Sequence, residues 1–210
     1  MGYHRAGFDE IVGVDIKPQP RYPFQFVQAD ALEFCKSFGA GFDAIHASPP
    51  CQDHMLTPLP NAKKHGTGWL LSATRAALKD IGRPSVIENV PGAPLRPDYR
   101  LCGCMFDLRT DEWELRRLRF FEVSPHLGFS LQPPHDHQKP AVSVVGNGQP
   151  SWHRRKWKLT PEGKPDYQAF RELCSTLMGI DWMRRDEMSQ AIPPAYTEFI
   201  GKQLLEALTY

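Results

Sequence analysis

Four short apolar runs, each ending in a side chain that can bind or react, constrain this 210-residue chain more than any other feature. Ile11-Val12-Gly13-Val14 ends in Asp15, and Phe24-Gln25-Phe26-Val27 runs through Gln28-Ala29 to Asp30. Phe42-Asp43-Ala44-Ile45-His46-Ala47 leads into Ser48-Pro49-Pro50-Cys51-Gln52, and Pro84-Ser85-Val86-Ile87 delivers Glu88-Asn89-Val90-Pro91. Short runs rich in Val, Ile and Phe read as strands. Tyr3, Ala6 and Phe8 give the first residues helical character, residues 31–35 look helical up to the Gly39-Ala40-Gly41 break, and residues 69–81 carry apolar groups at helical spacing. Strands alternating with helices predict an α/β fold with a mostly parallel sheet, whose ligands gather at the carboxyl ends of the strands. Asp15, Asp30, Cys51 and Glu88 are therefore expected along one edge of that sheet.

Taken singly, each of these residues has another reading. An aspartate after a strand is a turn former or a helix cap, and a free cysteine is a small buried hydrophobe. Two prolines directly before Cys51 favour a loop there over a core strand. The whole chain carries 20 prolines, so much of it must be turns and extended loops. Five cysteines, an odd number, argue for at least one free thiol, and neither a signal peptide nor an apolar run of membrane-spanning length is present, so a cytoplasmic protein is expected. The formal net charge is only +1, so a nucleic-acid partner would need a local basic face.

Together, Ser48-Pro49-Pro50-Cys51-Gln52 after one strand and Glu88-Asn89-Val90 after another resemble the DNA cytosine-5 methyltransferase family in its bacterial and phage form. Arg117-Leu118-Arg119-Phe120-Phe121 resembles the family's arginine-bearing motif, and Gln190-Ala191-Ile192-Pro193-Pro194-Ala195-Tyr196 resembles its C-terminal segment, so the likeness spans nearly the whole chain. The resemblance implies a Rossmann-like S-adenosylmethionine-dependent methyltransferase sheet and transfer of a methyl group to C5 of cytosine. Cytosine C5 is a poor nucleophile, and a thiolate adding at C6 makes it enamine-like. That role falls to Cys51. Glu88 would supply a proton to the base, and Arg117 and Arg119 would hold the base or its phosphate and favour the thiolate; a solvated basic stretch is the other reading of the two arginines. The target base must leave the double helix to reach such a pocket. For the cofactor, the resemblance implies Asp15 on the ribose hydroxyls, Ile16 against the adenine ring, Asp30 at the adenine amine and Pro49 bordering the methyl donor. Pro50, Gln52 and Asn89 would line the substrate side.

The family's opening strand and Phe-x-Gly-x-Gly loop have no counterpart here, so the expected sheet is shortened at its N-terminal end. An alternative start site, a second chain supplying the strand and loop, and a repurposed, non-catalytic DNA-binding relative all fit that departure. The organisation expected is a catalytic core over residues 1–123, a small target-recognition region over 124–186 and a return to the core over 187–210. The middle region holds a strand at 141–145, a helix at 166–179 and the basic-aromatic stretch Ser151-Trp152-His153-Arg154-Arg155-Lys156-Trp157-Lys158. Arg154, Arg155 and Lys156 suit phosphate contacts on double-stranded DNA, and the tryptophans suit stacking on an unpaired base; a solvated loop anchored by its tryptophans is the other reading. A final helix over about 195–208 should pack on the sheet. Cys102-Gly103-Cys104 with His135 and His137 offers zinc-type ligands, but one residue between the cysteines is tighter than the usual two to four, so no metal is expected. His46 reads as a strand-end residue.

Overall fold

The computed structural model describes residues 1–50, 68–124, 131–144, 161, 163 and 166–208. Strand β1 (Val12–Asp15) pairs in parallel with β2 (Gln25–Gln28), setting Asp15 opposite Gln28. A four-stranded sheet has the order β3 (Ile45–Ala47), β4 (Ser85–Asn89), β7 (Arg119–Ser124), β5 (Tyr99–Leu101). The third sheet is the parallel pair β6 (Glu114–Leu115) and β8 (Ala141–Val142).

This corrects the expectation of one mostly parallel sheet. β3 and β4 are parallel, but β7 runs antiparallel to both β4 and β5. Parallel neighbours need a long crossover, and α3 (Trp69–Ile81) provides one between β3 and β4. No α-helix lies between β4 and β7 in the chain, which instead returns through short strands, so β7 comes back reversed.

Local chemistry sets the helix limits. Asp30 caps α2 (Ala31–Phe38) by accepting the Leu32 and Glu33 amides, and Asp166 caps α4 (Tyr167–Met178) by accepting the Ala169 amide. Gly82 closes α3 and Gly179 closes α4 at φ 71° and 65°, where a side chain would be strained. The helix over 69–81 and the strand-end positions match the sequence reading, while the expected strand over 141–145 is only Ala141–Val142 among the described residues.

The four-stranded sheet is covered on both faces. Val86, Phe121 and Val123 pack with Tyr196, Ile200 and Leu204 of α6 (Pro194–Leu208), whereas Ile87 packs with Leu71 and Leu78 of α3. Val86 and Ile87 are successive residues facing opposite layers, as the two-residue period of a strand requires. A second core joins Leu115 of β6 and Val142 of β8 to Phe170, Cys174 and Leu177 of α4 and to Met188 of α5 (Arg185–Met188). The short α1 (Gly2–Ala6) lies against α6 at Gly201, where a Cβ would stand 2.7 Å from Ala6 Cβ and 2.9 Å from Tyr3 Cδ1. Replacing Gly201 with Ala should therefore cost about 1–3 kcal/mol through overpacking. Thermal unfolding checks this, and an unchanged midpoint would show that α1 yields freely. Among the described residues, no helix is long and apolar enough to cross a membrane.

Candidate functional site

Parallel pairing of β3 with β4 brings their carboxyl ends side by side, and both sequence motifs leave from that point. Glu88 is the penultimate residue of β4 and is buried, with 7% of its surface exposed. Its carboxylate meets Arg119 Nε of the neighbouring β7 at 3.1 Å. Burial raises the Glu88 carboxyl above its ordinary value, opposed by the charge of Arg119, a hydrogen bond from Ser48 and the charge of Arg117. Desolvation wins, so the site holds a carboxyl readier to keep its proton than a surface glutamate.

Asn89, also buried, ties the two motifs together. Its side-chain amide donates to the Pro49 carbonyl at 3.0 Å, and its side-chain oxygen accepts the Val90 amide at 2.9 Å. The backbone immediately before Cys51 is thus fastened to the end of β4. Pro50 is exposed beside it. Cys51 and Gln52 lie outside the described residues, as do Arg154, Arg155 and Lys156.

The two arginines are placed differently. Arg119 keeps its head beside Glu88 and donates through Nη1 to the Leu118 carbonyl at 2.8 Å. Arg117 is 4% exposed and grips backbone: Nη1 donates to Val144 O at 2.7 Å, and Nη2 donates to Ser189 O at 2.8 Å and Ala191 O at 2.6 Å. Its own carbonyl accepts the buried Tyr196 hydroxyl at 2.9 Å. Arg117 therefore joins four chain segments, while its charge still reaches Glu88.

The sequence reading missed the partners behind Glu88. Tyr3 hydroxyl lies 2.6 Å from His46 Nδ1, His46 Nε2 lies 3.1 Å from Ser48 Oγ, and Ser48 bonds Glu88. Burial lowers His46 to about 4, so the imidazole is neutral and carries a single N–H. With Glu88 ionised, Ser48 must donate to it, His46 Nε2–H to Ser48, and Tyr3 to His46 Nδ1. Every donor then points toward the carboxylate. No spacing along the chain marks this series, because it depends on α1 reaching β3 in space.

Asp15 is the last residue of β1 and Asp30 follows the end of β2, so both lie at the carboxyl end of a strand pair separate from the sheet of Glu88. Asp15 accepts the Lys17 amide at 2.8 Å and the Gln19 side chain at 3.3 Å. Asp30 uses Oδ1 to cap α2, at 2.9 Å from the Leu32 amide and 3.1 Å from the Glu33 amide. Ile16, next to Asp15, is 67% exposed. A bare apolar side chain following a strand-end carboxylate fits a flat, hydroxyl-bearing group such as a nucleoside.

The Cys/His set also converges. The ligand atoms of Cys102, Cys104, His135 and His137 all lie within 4.8 Å of one another.

The architecture is a mixed α/β fold. It is similar to the crystal structure of a mutant of Spodoptera frugiperda DNMT2, with a TM-score of 0.50 and 11% sequence identity over 97% of this chain and 96% of that one. No family model matches the sequence, and no curated protein does.

Proposed function

We propose that this chain transfers a methyl group from S-adenosylmethionine to C5 of cytosine in DNA. The observation that carries the reading is the Asn89–Pro49 hydrogen bond, which fastens the loop leading to Cys51 beside the buried Glu88. Cys51 is the nucleophile that adds to C6 of a base turned out of the duplex. Glu88, with its raised proton affinity, gives a proton to the ring as the thiolate adds, and Arg119 holds that carboxyl in place. Arg117 positions the loops around the pocket. Asp15 and Ile16 would hold the adenosyl group, Asp30 would meet its amine, and Pro49 would border the donor. S-adenosylmethionine, when bound, would supply an electrophilic methyl group to C5; loss of the C5 proton to a base then breaks the Cys51–C6 bond and restores both the ring and the thiolate. Pro50, Gln52 and Asn89 shape the base pocket, and Arg154, Arg155 and Lys156 meet the DNA phosphates.

One observation favours a second reading, a split-subunit or non-catalytic DNA-binding relative. Asp15, Ile16 and Asp30, assigned to the donor, lie at the carboxyl end of the β1–β2 pair, whereas Glu88, Asn89 and Arg119, assigned to the base, belong to the separate four-stranded sheet. Isotope-labelled methyl transfer into mixed-sequence DNA, with nucleosides read by mass spectrometry, separates the two. Label is expected in 5-methylcytosine, falling at least about 1,000-fold in Cys51→Ser, as for loss of a nucleophile, while DNA affinity stays within about threefold. DNA binding with no label from the wild-type chain would support the second reading instead.

A further inference from the structure

We propose that Cys102, Cys104, His135 and His137 form a structural zinc site. Four atoms from four side chains converge, and the three separations from His137 Nε2 are close to those of ligands around one ion. His137 Nε2 lies 3.6 Å from Cys102 Sγ, 3.8 Å from Cys104 Sγ and 3.3 Å from His135 Nε2. A tetrahedral zinc with its usual bond lengths, roughly 2.3 Å to sulfur and 2.05 Å to nitrogen, separates sulfur from nitrogen by about 3.6 Å and two nitrogens by about 3.3 Å. The match holds for each of the three pairs.

The surroundings prepare these atoms as ligands. Glu114, 2% exposed on β6, pairs with His137 Nδ1, and its second oxygen accepts the Gln138 amide at 3.2 Å. A carboxylate on Nδ1 keeps the proton there and leaves the Nε2 lone pair facing the sulfurs, which is the second partner that metal-bound histidines usually have. The two histidine rings are nearly perpendicular, with centroids 5.1 Å apart, so their Nε2 atoms approach without stacking. Binding would release the two thiol protons, and the resulting thiolates would neutralise the dication.

The close spacing of the cysteines, which counts against zinc in the linear sequence, is resolved by backbone shape. Cys102 is extended, at φ −133° and ψ 158°, and the chain turns at once into a 3-10 helix over Gly103–Phe106 that carries Cys104. The corner puts both sulfurs on one side. Gly103 permits it, because a Cβ there would stand 2.5 Å from Leu115 Cβ. Cys102 and His137 are 35 positions apart, so the ion would fasten the stretch before β8 to the end of β5. Four protein ligands leave no open position, which makes the role structural.

The test uses the full chain, purified from zinc-supplemented culture without a histidine tag. Elemental analysis should find about one zinc per chain, released by a thiol-blocking mercurial and lost on Cys102→Ser or His137→Ala to below about 0.1 per chain. Cys35→Ser should keep its metal. Cobalt-substituted wild-type protein should show the intense visible bands of a tetrahedral thiolate site, and this readout needs no variant to fold. Less than about 0.1 zinc or cobalt per folded chain would overturn the site, as would a Cys102–Cys104 disulfide in protein purified under reducing conditions. Metal retained by the Cys102→Ser/Cys104→Ser double variant would overturn it too.

Discussion

Replacing Glu88 with Gln should lower methyl transfer by about 100- to 10,000-fold, the usual range for losing a positioned proton donor, without lowering thermal stability at neutral or alkaline pH. The two halves of this expectation have one cause. Burial raises the Glu88 carboxyl above its ordinary 4.5, and the opposing charges of Arg119 and Arg117 do not cancel that effect. The folded chain thus keeps a proton that the unfolded chain has already released. Its contribution to stability is full below the unfolded value and is lost as pH rises through the higher folded value. Gln has no proton to lose, and its side-chain oxygen can still accept from Arg119. The melting midpoint of Glu88→Gln relative to wild type should therefore rise as pH increases from the acidic side of 4.5 to the alkaline side of the folded value. Wild-type turnover should fall over the same alkaline limb, where the donor loses its proton, and the residual turnover of the variant should be flat there. Full activity in Glu88→Gln would remove the proton-donor role. A lower alkaline midpoint would mean that the attraction between Glu88 and Arg119 outweighs the cost of burying the charge.

The strand-end chemistry was legible because it is local. A strand followed by Asp15, Asp30 or Glu88 announces itself within a few residues, and the expected helix over 69–81 coincides with Trp69–Ile81 because its apolar spacing and Gly82 cap are both in the sequence. Asp30 satisfies its other reading, as a helix cap, and that use of Oδ1 is compatible with a ligand nearby. What the sequence did not disclose depends on long-range closure. β5 and β6 are three and two residues long, too short for any periodicity, and their places are set by pairing with β7 and β8. The series Tyr3–His46–Ser48 behind Glu88 spans three elements. The convergence of the Cys/His set was hidden as well, because the corner at Gly103 and the long return to His135 and His137 leave no mark in the Cys-x-Cys spacing. The arginine motif read as one unit, yet burial divides it. Arg117 faces backbone and Arg119 faces the carboxylate.

Arg117→Met should cost about 3–5 kcal/mol, lowering the melting midpoint by about 6–20 °C for a chain of this size. Methionine fills most of the volume but donates nothing, so the carbonyls of Val144, Ser189 and Ala191 lose the N–H groups that now reach them at 2.7, 2.8 and 2.6 Å. A buried acceptor left without its donor is penalised by about 1–3 kcal/mol, and relaxation of the loops toward water recovers part of that. Arg117→Lys should fall between wild type and Met, since one ammonium cannot reproduce the planar fork that serves segments so far apart in the chain. Arg119→Met supplies the contrast. Its side chain is 17% exposed, and its principal partner Glu88 can take up a proton once the guanidinium is gone, so no unpaired charge stays buried and the midpoint should move by less than about 4 °C. Methyl transfer should nevertheless fall by about 100-fold. Removing the charge that most strongly opposes burial at Glu88 should also push that carboxyl higher, displacing the alkaline limb of the activity profile upward. Thermal melts and pH profiles on the two variants distinguish the assignments, because each arginine predicts a large change in the measurement where the other predicts a small one. An Arg117→Met chain that melts like wild type yet transfers no methyl would place that guanidinium on the substrate, and the three carbonyls would then be incidental neighbours.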